Sequence, residues 1–488
     1  MGDSLGFIDR PIRQDVTVRS VSAYAAMLGA GAAAFLLIRS YGETLAAPSP
    51  VAAHVAVAGS PATANVLLHL LMALAAVIVT GHLLGRLLGA LGQPRVIGEI
   101  IGGIALGPSV LGRLAPAAAA QILPASVAPS LGIVAQLGVI LYMFLVGLEL
   151  NGDLLRGRAH ATVLTSHSSI VTPFVLGSLL ALALYPRLST SDITFTTFAL
   201  FLGVAMSVTA FPVLARILTD RGMSTTELGV MALTCAAVDD VTAWCLLAAV
   251  VGIAQAKASA AVEVVIFAAV FVAAMFVVVR PFIGRLVKRS GDRAATREML
   301  VLTCVGVLMS ALVTEGIGIH AVFGAFLFGA VIPHDSQLAV ALRQRLQDLV
   351  TILFLPAFFA FTGMRTQIGL LSHASDWIIC AAIIVVATAG KFGGTLLASR
   401  IAGLGWRRSA ALGVLMNTRG LMELIVLNAG LDLGVISPKL FTMMVLMAIV
   451  TTVMTTPLLH LFHSDPSAVR LDQWNGRRLQ TLANRAGR

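Results

Sequence analysis

The chain has 488 residues, of which 58% are apolar and 11% charged, whereas a soluble protein carries roughly a quarter charged residues. Apolar runs recur from about residue 21 to residue 462 with short breaks. This composition excludes a soluble globular protein and indicates an integral membrane protein whose embedded part is one unit. A net charge of +10 would suggest nucleic acid as the partner of a soluble chain. In a membrane protein, the loops in which the basic residues lie indicate how the chain is oriented.

The apolar runs predict an all-α protein, because only helices satisfy their own backbone within a single membrane-crossing segment. A span needs about 20 apolar residues, and the chain divides into about fourteen candidates. They lie near 20–39, 63–88, 96–114, 130–149, 161–185, 193–217, 227–254, 260–280, 298–315, 317–334, 349–372, 376–399, 409–430 and 439–462. The first is interpreted as a retained span, because no small-residue cleavage site follows it.

The distribution of lysine and arginine orients these spans. With a cytoplasmic N-terminus, 25 of the 33 basic residues face the cytoplasm, 6 face the opposite side and 2 lie inside spans. Cytoplasmic loops carry such an excess of basic residues. We therefore expect a multi-pass membrane protein with both termini in the cytoplasm, and no nucleic-acid partner.

Five ionisable side chains lie deep inside their spans, namely Asp239, Asp240, Lys391, Arg419 and Glu423. Each would cost about 2.5–3.5 kcal/mol at the centre of a membrane helix, so they must be paired, line a water-filled cavity or carry ions. Pairing that only holds helices in register is the alternative for an isolated Lys–Asp pair. The adjacent aspartates favour an ion site, because two carboxylates this close cannot both ionise without an entering cation.

Two spans contain signals of a broken helix. In 203-GVAMSVTAFPVLARI-217 a proline frees a carbonyl near Val208, while Ser207 and Thr209 offer hydroxyls. In 413-GVLMNTRGLMELIVL-427 the polar run from Asn417 and a glycine interrupt an apolar helix. Oxygen ligands at such breaks suit a monovalent cation. The alternative to a broken helix is a proline kink in the first segment and a polar contact between helices in the second.

The two broken segments also resemble each other. Leu202-Gly203-Val204-x-Met206 returns as Leu412-Gly413-Val414-x-Met416, and 98-GEIIGGIALGP-108 resembles 324-GAFLFGAVIP-333. Both matches are seven spans apart, and an odd offset reverses orientation in the membrane. The sequence therefore predicts inverted repeats whose broken helices cross at the midplane, beside the aspartate pair.

These segments resemble the monovalent cation:proton antiporters of the second family, especially the bacterial relatives of the cation/H+ exchangers of plants and fungi. The resemblance covers roughly residues 63–462 in order. It is carried by 94-PRVIGEIIGGIALGPSVLG-112, 140-ILYMFLVGLEL-150, 206-MSVTAFPVLARIL-218, 236-AAVDDVTAWCLLA-248, 320-HAVFGAFLFGAVIP-333, 352-ILFLPAFFAFTGMRT-366, 390-GKFGGT-395 and 416-MNTRGLMELIVLNAG-430.

The resemblance implies a Na+/H+ antiporter fold with a dimerising panel domain and a core domain containing two crossed discontinuous helices. It also implies that Asp240 binds the cation and the proton, and that Asp239 pairs with Lys391. Thr209, as a further cation ligand, and the carbonyls around Val208 match the first broken helix. The second broken helix matches through Asn417, Arg419 and Glu423.

The chain also departs from the family pattern. Plant exchangers usually show Asn-Asp where this chain has Asp239-Asp240. The Asp-Asp form resembles the electrogenic branch of the superfamily. Many prokaryotic members place an acid directly after the Arg-Gly of the second break, whereas here Leu421 stands there and Glu423 follows. Outside the membrane there is no G-x-G-x-x-G unit, so neither a nucleotide partner nor a cofactor is expected.

We therefore expect a secondary active antiporter that exchanges K+ and/or Na+ for protons by alternating access, not an enzyme. Its expected partners are the cation, the proton, the lipid bilayer and a second copy of the chain. A passive cation channel or channel-like regulator on the same scaffold is the main alternative, and an organic-anion symporter is a second. The expected organisation is an N-tail, first helix and extracytoplasmic loop (1–62), the exchanger domain (63–462) and a short basic tail (463–488).

Overall fold

The computed structural model describes residues 12–48, 66–149, 159–190, 192–224, 226–255, 258–290 and 296–462, and these residues form helices and connecting turns without a strand. The predicted tail 463–488 and most of the predicted loop before residue 63 lie outside the described residues. The helices are α1 Ile12–Gly42, α2 Val66–Ala90, α3 Arg95–Leu106, α4 Leu111–Leu114, α5 Pro116–Ile122, α6 Ala128–Glu149, α7 Ala159–Leu188, α8 Phe195–Ser207, α9 Phe211–Asp220, α10 Glu227–Gln255, α11 Ala258–Ala274, α12 Arg280–Ser290, α13 Arg297–Ile317, α14 Ala321–Val331, α15 Gln337–Leu349, α16 Leu355–Arg365, α17 Ala374–Ile401, α18 Trp406–Met416, α19 Leu421–Asp432 and α20 Pro438–Phe462.

The number of spans agrees broadly with the prediction of about fourteen. Within the described ranges, twelve segments are long and apolar enough to cross a membrane, and the bent pair α18–α19 is a thirteenth. The predicted span at 317–334 contains only the 11-residue helix α14. Large apolar side chains on the outer helices, such as Leu83 of α2 and Leu308 of α13, are more than half exposed. Such an apolar surface suits lipid rather than water.

One group of helices, which we call the panel, comprises α2, α3, α6, α13, α14 and α16. Its helices pack backbone to backbone at glycines: a Cβ on Gly103 of α3 would overlap the carbonyl oxygen of Phe359 in α16. In the same way, a Cβ on Gly147 of α6 would overlap the carbonyl oxygen of Phe326 in α14. Small residues permit this close approach in membranes. Each contact includes one of the two segments that the sequence relates as inverted repeats, and the repeat relation itself stays a prediction.

A second group of helices, which we call the core, comprises α7–α10 and α17–α20. Helix α7 lies at its centre and packs against α8, α10 and α17. Gly390 and Gly394 of α17 lie against the backbone of α7 near Pro173 and Ser168. This close packing brings the polar side chains of α7, α10 and α17 toward one point.

Two core spans are broken where the sequence predicts. Helix α8 ends at Ser207, Val208 is extended, and α9 begins at Phe211 with a proline in its first turn. Helices α18 and α19 meet at an angle of 45° across residues 417–420. The Ala210 N–H of the first break donates to the Thr418 carbonyl of the second at 3.0 Å. The two interrupted helices therefore cross, as predicted.

The additional helix α1 packs on the outside of the core, against α7 and α8. A ring contact joins Tyr24 to His167 with centroids 5.3 Å apart. At the C-terminal end of α1, Glu43 accepts hydrogen bonds from Arg39 and from Thr196 of α8, each at 2.8 Å. The predicted first span is thus a helix attached to the core.

Candidate functional site

All five intramembrane ionisable side chains are buried in the core, each with at most 1% of its surface exposed. Asp239 and Asp240 lie at the middle of α10, and Lys391 lies on α17. Arg419 lies in the second break, and Glu423 lies in the first turn of α19. The crossing of the broken helices brings these elements together.

The Asp239 carboxylate is saturated with hydrogen-bond donors. Its Oδ1 accepts from the Ser166 hydroxyl at 2.6 Å. Its Oδ2 accepts from the Ser169 hydroxyl at 2.6 Å, the Thr209 hydroxyl at 2.9 Å and the Lys391 ammonium at 2.9 Å. An ionised carboxylate with one cation and three hydroxyl donors is well compensated. In the structure Asp239 pairs with Lys391, as the family resemblance implies.

The Asp240 carboxylate has a different environment. Both oxygens are buried, and no hydrogen bond of acceptable geometry reaches either from the residues that the structure describes, although the backbone N–H of Phe211 lies beside it. Consecutive helical residues differ by about 100° in azimuth, so Asp240 faces away from the hydroxyl cluster around its neighbour. One turn later, the Trp244 Nε1 is likewise buried without a partner among the described groups.

Arg419 joins the two broken helices. Its guanidinium donates to the carbonyl oxygens of Ala205 at 3.1 Å and Met206 at 2.6 Å, at the C-terminal end of α8. It also donates to the Glu423 carboxylate at 2.8 Å. The last carbonyls of a helix carry partial negative charge and lack helical partners. Arg419 therefore neutralises both the end of α8 and Glu423.

The remaining predicted site residues lie at the breaks, with different contacts. The Thr209 hydroxyl is directed to Asp239, with a second acceptor at the Met416 carbonyl 3.3 Å away. The Ser207 hydroxyl donates to carbonyls of Gly203 and Ile170, and so is occupied in helix packing. Val208 is extended, and Pro212 offers its carbonyl no N–H.

Asn417 is also buried at the second break, where its Oδ1 has no partner among the described groups. The oxygen atoms at the two breaks are the type that a hard monovalent cation prefers. No group of three or more His, Cys, Asp or Glu residues within the described ranges is arranged to hold a metal ion. Any cation here would depend on Asp240 together with neutral oxygens.

Ser166 and Ser169 of α7 were missed by sequence reasoning. They belong to the run 165-TSHSS-169, a polar segment inside an otherwise apolar span. The spacing of three residues places both hydroxyls on one face of α7. The signal available in the sequence was a polar face on an otherwise apolar helix. In the structure this face is turned toward Asp239.

Comparisons with known proteins agree with this fold. The family model for the transmembrane part of sodium/hydrogen exchangers matches residues 59–461. The Na+/H+ antiporter NhaS4 of Synechocystis sp. is 43% identical over 83% of this chain and 99% of its own length. Cation/H+ antiporter 17 of Arabidopsis thaliana is 41% identical over 83% of this chain. The chain spans 50% of the length of that plant relative.

A solved structure supports the same architecture. The sodium proton antiporter MjNhaP1 of Methanocaldococcus jannaschii at pH 8 superposes with a TM-score of 0.62, covering 80% of this chain and 99% of the archaeal chain, at 13% identity. At that identity the likeness concerns the fold alone. The matched family model and the cyanobacterial relative, aligned over 99% of its length, identify the family. The chain belongs to the family of sodium/hydrogen exchanger transmembrane proteins.

Proposed function

We propose that the protein exchanges K+ and/or Na+ for protons across the membrane by alternating access, with Asp240 as the group that binds either ion. The observation that carries this proposal is that Asp240 is a fully buried carboxylate that makes neither a hydrogen bond nor a salt bridge with the described part of the chain. The two relatives described above are a Na+/H+ antiporter and a cation/H+ antiporter, which supports the same activity.

Charge balance explains why Asp240 should bind one ion at a time. Asp239 is paired with Lys391, and Glu423 with Arg419, in two fully buried ion pairs of 2.9 and 2.8 Å. These four residues form a neutral set, so ionised Asp240 would add one uncompensated charge. Such a charge is strongly unfavourable in a buried site. A proton or a monovalent cation restores neutrality, and because each suffices alone, their binding is mutually exclusive.

Competition for one carboxylate couples the two fluxes. A transporter in which the site moves only when neutral carries a proton in one direction and a cation in the other. The unpaired Asn417 Oδ1, the Val208 carbonyl and Thr209 are the neutral oxygens that we propose as additional cation ligands. Since Thr209 already donates to Asp239, cation binding at Asp240 would also alter the neighbouring ion pair.

Alternating access requires one group of helices to move against another. Within the panel and within the core, helices meet at glycines with almost no space between backbones. Between the groups the described contacts involve side chains, such as Val96 of α3 against the α9 cluster of Ala210, Val213 and Ile217. Rigid groups separated by a side-chain interface favour rigid-body motion. We further propose a homodimer in a bacterial cytoplasmic membrane, with both termini cytoplasmic.

Exchange in everted membrane vesicles tests the proposal. A pH gradient is established, K+ or Na+ is added, and proton movement is followed with a pH-sensitive dye. The wild-type protein should dissipate the gradient, and Asp240→Asn should abolish this response. Asp348→Asn, which changes an exposed aspartate on α15, should retain it.

The thermal unfolding midpoint separates a loss of transport from a loss of folding in Asp240→Asn. Because no described side chain donates to Asp240, Asp240→Asn should leave the thermal unfolding midpoint of the purified protein unchanged or raised. Full exchange by this variant would contradict the proposal. Cation flux that persists without a proton gradient and does not saturate would instead support a channel.

A further inference from the structure

A cavity of about 530 Å³ lies between the panel and the core, on the side of the membrane that the sequence predicts to be cytoplasmic. Its panel wall is the turn from α2 to α3, with Arg86, Gln93 and Arg95. Its core wall is the end of α9, the following Arg221 and Thr456 of α20. The cavity is therefore bounded by both groups of helices that the proposed transport cycle moves.

The walls of this cavity are strongly basic. Four arginines and one aspartate line it, a net excess of three positive charges. Arg216 forms an ion pair with Asp220 at 3.0 Å, and Arg221 contacts the ring of His460 at 2.9 Å. Neither Arg86 nor Arg95 makes a salt bridge within the described ranges. A surplus of this size repels cations, so the cavity is a poor entry route for K+ or Na+.

The backbone around the cavity also favours an anion. Helix α3 begins at Arg95 beside the cavity, and no side chain caps its N-terminus. Exposed N–H groups and the helix dipole at such an end attract negative charge. The Arg95 side chain lies along Gly89 of α2, with its Nε 3.7 Å from the position that a Cβ would take. Arg95 thereby reaches the face of α2 that carries Arg86.

We propose that this cavity binds a phosphate group, supplied either by the headgroup of an anionic lipid or by free phosphate. Arginine is suited to such a ligand, because its planar fork donates two hydrogen bonds to a phosphate at once. Two arginines from the panel and two from the core would then share one anion. This inference concerns a site separate from Asp240 and does not depend on the proposed exchange.

Occupancy would connect the panel to the core. Thr456 lies one helical turn beyond Thr452, whose hydroxyl donates to the Arg419 carbonyl at 2.7 Å and accepts from the Arg419 N–H at 3.0 Å. A ligand held between α3 and α20 would therefore stabilise the arrangement in which the two groups approach each other here. Binding should consequently raise the thermal unfolding midpoint.

The test measures binding directly on the purified full chain. Native mass spectrometry counts phosphatidylglycerol retained per chain after exposure to mixed micelles. Thermal unfolding is followed in parallel during titration with inorganic phosphate, at constant ionic strength set with chloride. The variant is Arg86→Gln/Arg95→Gln, and the matched control is Arg285→Gln/Arg289→Gln on α12, which removes two basic residues outside the cavity.

The wild-type protein and the α12 control should retain one more lipid than the cavity variant, or show a phosphate-dependent rise in midpoint that the variant lacks. Affinity should fall by roughly tenfold or more, as expected for the loss of charged hydrogen bonds. Lipid retention alone assigns the site to a headgroup, and a phosphate response alone assigns it to free phosphate. Equal retention and equal midpoint shifts in all three proteins would overturn the inference.

Two further variants complete the design. Arg86→Lys/Arg95→Lys keeps the charge but loses the planar fork, and should bind with intermediate affinity. Asp240→Asn should bind the anion like the wild type, so the outcome for this cavity is independent of the outcome for exchange. Loss of anion binding in Asp240→Asn together with normal binding in the glutamine variant would also overturn the assignment.

Discussion

Replacing Lys391 by methionine removes the cation from a fully buried ion pair. The Lys391 Nζ and the Asp239 Oδ2 are 2.9 Å apart, and both side chains are 0% exposed. Removing one partner of such a pair destabilises a protein by about 3–5 kcal/mol, because the other charge stays buried. Three hydroxyl donors still reach Asp239 in the variant, so we expect a loss near the lower end, about 3 kcal/mol.

The double variant Asp239→Asn/Lys391→Met separates charge from packing. It leaves neither an unpaired cation nor an unpaired anion at this position, and the serine and threonine hydroxyls can still donate to the amide oxygen. We therefore expect it to lose less stability than Lys391→Met alone, with a coupling energy of about 2 kcal/mol or more. Arg408→Met is the control: its contact with Glu227 is 3.3 Å long and more than half exposed, so it should cost at most about 1 kcal/mol.

The measurement is the free energy of unfolding in detergent micelles, obtained by denaturant titration for the wild type, the three members of the cycle and the control. A Lys391→Met protein that loses no more stability than Arg408→Met would refute the assignment of a buried ion pair. Single losses that add to the double loss within about 0.5 kcal/mol would refute the coupling.

Three other changes address the panel, the broken helices and helix α1. Gly103→Ala should lower the free energy of unfolding by about 1–3 kcal/mol, because the new methyl group meets the backbone of α16. Gly393→Ala, beside open space in α17, should raise it by up to about 1 kcal/mol. Equal effects of the two changes would contradict the close helix contact. Arg419→Met should cost about 3–5 kcal/mol and Glu423→Gln about 1–2 kcal/mol, because the second variant keeps both carbonyl contacts; the reverse order in a denaturant titration would contradict this reasoning. The hydrogen bond that Arg39 donates lowers the pKa of Glu43 in the folded protein. The stabilisation from this bond is complete above the pKa that Glu43 has in the unfolded chain, and it is lost as the pH falls through the folded-state pKa. Glu43→Gln should therefore lower the unfolding midpoint at neutral pH and have no effect in acid, and a difference that persists at every pH would contradict it.

The spans, the breaks and the buried charges were predictable because each carries a large energetic signal. A charged residue inside an apolar run, such as Lys391, is too unfavourable to occur without a partner. Pro212 and the polar run at Asn417 interrupt helices for reasons that lie in the local sequence. The inverted repeats are inferred from two short sequence matches with the same offset of seven spans, and they stay a prediction.

The division of roles between the two aspartates was not predictable from local physics. Adjacent positions on α10 differ only in azimuth, and the sequence does not show which azimuth faces α7. The family resemblance supplied the pairing of Asp239 with Lys391. Ser166 and Ser169 were missed because hydroxyl residues are inexpensive in membrane helices and often only bond to their own backbone.

The contacts of Arg419 with the end of α8 were also beyond sequence reasoning. The carbonyls of Ala205 and Met206 are more than 200 positions away along the chain, and only the crossing of two broken helices brings them within reach. The short helix α14 was overestimated in length at 317–334, because the flanking residues are apolar but form turns. The Arg419 contacts thus depend on long-range geometry, whereas the length of α14 was overestimated because apolar residue type does not by itself separate a helix from a turn.

Proton release on cation binding tests the central claim most directly. The purified protein is titrated with K+ or Na+ by calorimetry in two buffers that differ in ionisation enthalpy, and the difference in heat gives the number of protons released. If one carboxylate binds either ion, wild-type protein should release protons when the cation binds, near the pH at which half the sites are protonated, and Asp240→Asn should neither bind the cation nor release protons. Cation binding without proton release by the wild type across the whole pH range, or unchanged release by Asp240→Asn, would contradict the claim.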